Sequence, residues 1–372
     1  MVVVVVRVID VVVVLVVLVE VAVVSDVEVV TAAELERLAV LAVGCESLHA
    51  EMIETRAMSA ATARIRRLSS LPLELRTMAH PQPGIFALGT RSHHHLELDV
   101  TGDRQAVIPA LNRVREAATT VAGVNVVVGF GHRLWSALAP NDVPGDLANF
   151  ETITGAGGFE IPAAQHDLWI WLHASGPDAV FNIARLAAIE LDGIATVATE
   201  RPSFTYQASQ DLTGFEDGTE NPPLAEAVEA ATIPDGESGA GGSIVLVQKW
   251  AHDLDGFEAL ELSDREQVIG RTLHGSIELA EDVQSPRSHV SRVVIEDEDG
   301  EELEVFRRST AYGGVQEHGL VFVAFSADRA RLQRMLERMA GVDDGVRDRL
   351  TEFSTPVASA WYVAPSLELF NV

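Results

Sequence analysis

LELDV at 96–100, RQAVIPALNRVREAATTV at 104–121 and VNVVVGFG at 124–131 decide the fold. The first alternates apolar and polar residues, as a strand with one buried face must. The second places Val107, Leu111, Val114 and Ala118 at helical spacing, which gives a helix one apolar face. The third is a short β-branched run and reads as a second strand. HDLWIWLHA at 166–174 adds a strand. PDAVFNIARLAAIEL at 177–191 adds a helix that opens on a proline and carries an aspartate in its first turn.

The same order returns after Gly241. GGSIVLVQKWAHDL (241–254) reads as a strand, and SDREQVIGRTL (263–273) as a helix with Ser263 as N-cap. HVSRVVIEDEDGEELEVFRRS (289–309) reads as two strands around a Glu-Asp-Gly turn. GLVFVAFS (319–326) is a buried strand. SADRARLQRMLERMAG (326–341) is a helix capped by Ser326 and ended by Gly341. Two units of the same order predict an α+β fold of two ferredoxin-like halves, packed together as in a dimeric α+β barrel. The expected division is an N-terminal half at 78–212 and a C-terminal half at 213–372.

Residues 1–77 stand apart as a low-complexity, unassigned extension. Valine dominates 1–30, but Arg7, Asp10 and Glu20 break the run short of the roughly 20 apolar residues a membrane helix needs. Such runs are an aggregation hazard unless paired or buried in a membrane. The pattern of a secretory signal is missing. Arg66-Arg67 is followed only by the short LSSLPLELR, which carries Glu74 and Arg76. Residues 31–77 are helix-permissive and show no chemistry.

The 372 residues are 47% hydrophobic and carry a net charge of −28. Phosphate binding needs a basic surface, so nucleic acid and anionic membrane are excluded as main partners. Cationic or neutral small substrates are favoured. Lys249 is the single lysine, and Cys45 the single cysteine. The chain therefore forms no internal disulfide and no cysteine-built metal site. One cysteine is compatible with a reducing cytoplasm, the expected location. Twelve histidines make imidazole the natural ligand for any metal.

Three segments carry candidate chemistry. GFEDGTENP (214–222) sets an acidic pair between glycines, which allow close backbone approach to a flat ligand. An ordinary surface turn would look similar, since Asp-Gly and Asn-Pro are turn dipeptides. SPRSHVSR (285–292) presents His289, and RRSTAYGG (307–314) follows one hairpin later. A hairpin over 290–306 would return the chain to its start, so that His289 and Arg307 share a pocket. By themselves a structural histidine and a pair of surface arginines remain the alternatives. His93-His94-His95 on a strand would split its side chains between two faces, so it is read as non-ligating.

Taken together the segments resemble the dye-decolourising peroxidases. GFEDGTENP matches their GxxDG signature. SHV followed by RRSxxYG, and the ending FSTPVASAWYVAPS (353–366), resemble the bacterial intracellular branch called type B. The likeness runs from about Pro83 to Leu369. It implies haem b (iron protoporphyrin IX) as cofactor, and hydrogen peroxide with a reducing small molecule as substrates. His289 would be the proximal ligand of the haem iron. Asp217 and Arg307 would be the distal pair that works on peroxide, with Ser309 as a further distal polar group. Gly214, Phe215, Glu216 and Gly218 would border the haem, and Arg271 would meet a propionate. Asp348 would bond the far nitrogen of the proximal histidine, with Glu352 as the competing acid. Ala311 departs from the family's usual proline, and Ala358-Ser359 from an expected Thr-Gly pair. A homo-oligomer is expected, and no C-terminal shell-docking tail follows APSLELF.

The chemistry fits these residue types. A carboxylate can take a proton from peroxide and return it, if its pKa suits the working pH. An arginine stays cationic and stabilises charge as the O–O bond breaks. A carboxylate behind the proximal histidine gives it imidazolate character. Dyes, phenolics and Mn(II) are the expected reductants. Trp250, Tyr312, Trp361 and Tyr362 are candidate relays for large ones, with core packing as the alternative. EDEDGEE at 296–302 is either a Mn(II) site or a solvated hairpin tip. The competing function is a haem-binding protein for haem or iron handling, with incidental peroxidase activity.

Overall fold

The computed structural model describes residues 2–8, 11–17, 79–207, 209–296, 300 and 302–371. The expectations for 31–77, and for most of the acidic run at 297–301, lie outside the described residues. The chain falls into two units, Met1–Leu73 and Glu74–Val372. In the first, β1 (Val2–Val8) and β2 (Val11–Val17) form an antiparallel pair with Val2 opposite Val17. The valine runs thus satisfy each other's backbone groups.

The second unit begins its regular structure with β3 (Ser92–Val100), helix α1 (Val107–Ala117), β4 (Asn125–Phe130) and α2 (His132–Leu138). A small hairpin, β5 (Ile153–Thr154) and β6 (Glu160–Ile161), precedes β7 (Leu168–Ala174), α3 (Pro177–Glu190) and β8 (Ala195–Phe204). After α4 (Leu224–Ala231) come β9 (Ser243–His252), α5 (Leu254–Glu258), α6 (Leu262–Ile269) and α7 (His289–Val293). The chain closes with β10 (Phe306–Arg307), β11 (Thr310–Gly313), β12 (His318–Ser326), α8 (Arg329–Ala340) and β13 (Ser354–Ala364).

Strand order shows the two halves. In the first, β8, β3, β7 and β4 lie side by side; in the second, β13, β9, β12 and then β10 with β11 do. Counted within each half, both orders are 4-1-3-2, the ferredoxin-like arrangement. The halves join where β8 meets β11 through two residue pairs, and where β4 meets β13 through Phe130 and Val363 alone. The pairing therefore runs round a closed ring, which leaves the barrel few open edges.

Trp169, Trp171, Phe325 and Tyr362 fill the space between the sheets, together with Val245, Val247 and Val323. His93 and His95 join them, stacked on Trp171 with ring centroids 5.9 Å apart in each case. His94 points the other way and meets Glu200 at 2.8 Å. Burial pushes His93 down to about 4 and His173 to about 3, so both are neutral near pH 7. Among the described residues no group of three or more His, Cys, Asp or Glu could hold a metal ion. Trp250, Tyr312, Trp361 and Tyr362 are all buried, as core packing requires.

Helices cover the outside. Val107, Leu111, Val114 and Ala118 are fully buried, so the spacing that predicted α1 is its packing face. Each such large apolar side chain contributes roughly 1.5–3 kcal/mol by leaving water. Two expected caps differ. Ser326 is the last residue of β12, and the carboxylate of Asp328 accepts the Arg331 N–H at 3.0 Å to begin α8. Asp328 stands directly before the first helical residue, where a side-chain oxygen reaches a free amide. Likewise α6 starts at Leu262 after Glu261, and Ser263 lies inside it. Gly341 does end α8, with φ of 69°.

The broad hairpin expected at 289–309 is not formed. Ser288 accepts the Ser291 N–H at 3.2 Å and starts α7, so His289 opens a short helix. Arg292 fixes that turn by binding the Arg338 carbonyl and both oxygens of Asp344. Strand pairing shrinks to one bridge between Glu296 and Glu302, and to β10. Among the described residues no helix is long and apolar enough to cross a membrane.

Candidate active site

The loop before α4 is folded by its own polar groups. Asp211 accepts bonds from the Thr213 amide at 2.8 Å and hydroxyl at 2.6 Å, and its other oxygen lies 3.1 Å from His252 Nε2. The Asp211 amide donates to the Phe215 carbonyl, which closes the turn. Gly214 and Gly218 take φ of 88° and 79°, where a side chain would be strained. Asp217 is held between them, its amide donating to Ser209. Asn221 then clamps the backbone of Arg307, donating to its carbonyl at 2.9 Å and accepting from its amide at 2.8 Å.

On the facing wall, His289 Nδ1 lies 2.7 Å from Asp348 Oδ2. Asp348 is fully buried, and its other oxygen accepts the Leu350 amide at 2.8 Å. A buried acceptor fixes the proton on Nδ1 and leaves Nε2 for a ligand. Glu352 is engaged by Arg287 at 2.5 Å instead. Of the two acids that competed for the histidine, Asp348 is the one in contact.

Asp217, His289 and Arg307 open on one shared cavity. Phe215, Ile269, Leu320, Phe322, Met335 and Leu336 give it apolar walls, and Glu216 also borders it. Among the described residues, Arg307 Nε is buried with no hydrogen-bond partner. Burial pushes the Asp217 carboxyl above the usual carboxylate range. Arg307 and His289 pull it down and Asp211 pushes it further up. An apolar slot with a free imidazole nitrogen on one wall and an unsatisfied guanidinium on another suits a large flat ring that carries a metal.

Four of the expected residues stand elsewhere, and Gly214 borders neither this cavity nor its neighbour. Ser309 and Gly218 line a neighbouring cavity, and Ser309 Oγ is buried without a partner. Arg271 is not part of the first cavity's wall; it binds Glu220, Glu278 at 2.8 Å and the Ser276 carbonyl at 2.8 Å. Sequence reasoning missed Asp211, His252, Ser354 and Asn221. The first three line the cavity, and His252 Nδ1 lies 2.9 Å from Ser354 Oγ. The Asn-Pro pair read as a turn signal had hidden the role of Asn221.

Comparison with known proteins gives the family. Residues 82–205 match the family model "Dyp-type peroxidase, N-terminal", and residues 208–369 match "Dyp-type peroxidase, C-terminal". The chain belongs to the Dyp-type peroxidase family. It is thus an oxidoreductase that uses peroxide as its oxidant, in a family whose cofactor is haem. A dye-decolorizing peroxidase of Mycobacterium tuberculosis is 34% identical over 302 residues, covering 78% of this chain and 90% of the relative. One from Rhodococcus erythropolis is 32% identical over 290 residues, covering 76% and 82%. Among solved structures, DyPB from Rhodococcus jostii RHA1 superposes with a TM-score of 0.74 at 31% identity, covering 79% of this chain and 98% of that one. A variant of that protein solved in complex with haem gives a TM-score of 0.71 at 30% identity, covering 79% and 96%.

Proposed function

We propose that this Dyp-type peroxidase holds haem b in the cavity shared by His289, Asp217 and Arg307, and there reduces hydrogen peroxide at the expense of dyes, phenolics or Mn(II). The observation that carries the reading is the cavity itself. One imidazole, backed by the buried Asp348, shares it with an unpaired guanidinium and a carboxylate.

His289 Nε2 would hold the iron, with Asp348 keeping the ring's orientation and raising its basicity. Bound there, haem would supply the redox chemistry for cleaving the peroxide O–O bond, with the reductant as the ultimate electron source. Asp217 takes the proton of the peroxide oxygen on a carboxylate oxygen and returns it to the departing one. Arg307 places a fixed positive charge beside the developing anion, a contribution of roughly 3–4 kcal/mol for a donor in a water-poor pocket. Ser309 supplies a further hydroxyl near this pair. Glu216, Phe215, Gly214 and Gly218 shape the loop against the ring. The contacts of Arg271 with Glu220 and Glu278 argue for a structural rather than a propionate-binding arginine.

We also take the chain to be a type B member working in the cytoplasm as a homo-oligomer. The DyPB neighbours and the resemblance around 285–314 support the branch assignment. The division into halves at 78–212 and 213–372 accords with the two family models.

An absorption spectrum tests the core of this reading. Purified protein mixed with haem is expected to give a Soret band, and one equivalent of peroxide to shift it. A shift that persists unchanged in Arg307→Ala would instead favour a haem-handling protein with incidental activity.

A further inference from the structure

A second cavity meets the first at Asp217, Arg307 and Leu320. Its electrostatics run against the rest of the molecule. The chain carries 55 acidic and 27 basic residues, yet this cavity is lined by Arg91, Arg307 and Arg308 and by a single carboxylate, Asp217. Two polar atoms here, Arg307 Nε and Ser309 Oγ, are buried without a hydrogen-bond partner among the described residues. Unmet donors of this kind cost about 1–3 kcal/mol each and are commonly met by a ligand or water.

Arg308 adds fixed charge, and among the described residues no carboxylate pairs with it. Its guanidinium donates to the Ile85 carbonyl and to the Ala87 carbonyl at 2.8 Å, and lies over the Trp171 ring at 5.1 Å. Burial lowers its pKa only to about 10, so it remains cationic at neutral pH. Arg91 is exposed at the mouth, where a charge attracts an anion from solution. The lining also includes the ring of Tyr206 and the exposed apolar side chain of Leu88. Those surfaces suit a ring better than a bare inorganic ion.

We propose that this second cavity is a binding site for small aromatic carboxylates, drawn in by Arg91 and Arg308. The site deepens the peroxidase reading, on which its purpose rests. It names carboxylated phenols as a class of reducing substrate. Each phenol gives up one electron and one proton to become a phenoxyl radical, and two phenols serve one hydrogen peroxide, which leaves as two waters.

Benzoate, which resembles such a phenol but has no hydroxyl to oxidise, tests the site by calorimetric titration. Binding is read without turnover, so it stands or falls separately from the peroxide reaction. Saturable binding is expected both to apoprotein and to haem-loaded protein, tighter for benzoate than for acetate or phosphate. Arg91→Gln is expected to weaken it about three- to tenfold, as loss of one partly exposed charge does. Arg308→Gln is expected to weaken it more, with circular dichroism checking that this variant folds. Binding to the apoprotein that vanishes on haem loading would assign these arginines to the haem propionates and overturn the proposal. So would phosphate matching benzoate, an unaltered affinity in Arg91→Gln, or no saturable binding at all.

Discussion

Asn221 grips Arg307 by the backbone, 86 positions along the chain, with its amide group bonded to both the carbonyl and the N–H of the arginine. The carboxylate loop and the arginine strand are thereby locked to each other. Asn221→Ala leaves both backbone groups to find other partners. The fold is expected to lose about 1–3 kcal/mol, read from the urea midpoint. Haem should still bind while the reaction with peroxide slows, measured by stopped-flow absorbance. Unchanged peroxide kinetics in a destabilised variant would show that the clamp serves stability alone.

His289→Ala is expected to abolish haem retention on a desalting column. Asp348→Asn should keep haem yet slow the peroxide reaction by roughly 10–100-fold, the usual scale for losing a partner of a metal-bound histidine. Glu352→Gln, whose carboxylate meets Arg287, should behave like the parent. The opposite ranking of Asp348 and Glu352 variants would reverse the assignment.

The raised pKa of Asp217 sets the acid limb of the rate profile. Asp217 works as a base only when deprotonated, so the rate should fall as pH drops through its pKa. Arg307 pulls that pKa down, and Asp211 pushes it up. Arg307→Ala should therefore move the limb to higher pH as well as lower the plateau. Asp211→Asn should move it to lower pH. Profiles of peroxide reaction rate against pH check both signs, and shifts in the same direction for the two variants would refute the scheme.

The same carboxyl gives a stability test. A group whose pKa is raised in the fold contributes stability below its unfolded pKa, and loses it as pH rises through the folded value. At neutral pH the charged Asp217 is thus held at a cost. Asp217→Asn is expected to raise stability there by roughly 0.5–2 kcal/mol while slowing the peroxide reaction. Thermal melts at pH 7 measure it; a lower melting temperature would contradict the burial argument.

Gly270 ends α6 with φ of 97°, and a Cβ there would stand 3.0 Å from both Ser288 Oγ and Val290 Cβ. Those neighbours flank His289. Gly270→Ala is expected to destabilise the protein by more than about 1 kcal/mol and to weaken haem retention. Retention matching the parent would mean that the α7 turn is held without this contact.

Elements with strong periodicity are legible in the amino-acid order alone. The β-branched runs of β4 and β9, the apolar run of β7 and the apolar face of α1 need only local pattern to be read. What escaped depended on distant partners. Val290, Val293 and Val294 looked like strand residues, but Ser288 and the Arg292–Asp344 contact hold His289 in a helical turn. Ser263 and Ser326 are good capping residues in the wrong places, one inside a helix and one at the end of a strand. Asp217, His289 and Arg307 were visible through the family's motifs. Asp211, His252 and Ser354 were not, because a chain of hydrogen bonds linking residues up to 143 positions apart leaves no mark on spacing.

Every side chain bordering the first cavity comes from residues 211–354, whereas residues before 205 border only its neighbour. With so few backbone pairs stitching the halves together, mutations before residue 205 should spare iron-centred chemistry and act mainly on which molecules gain entry. Directed evolution aimed at new reductants has its freest hand there, on a wall that can be redrawn without disturbing the hearth.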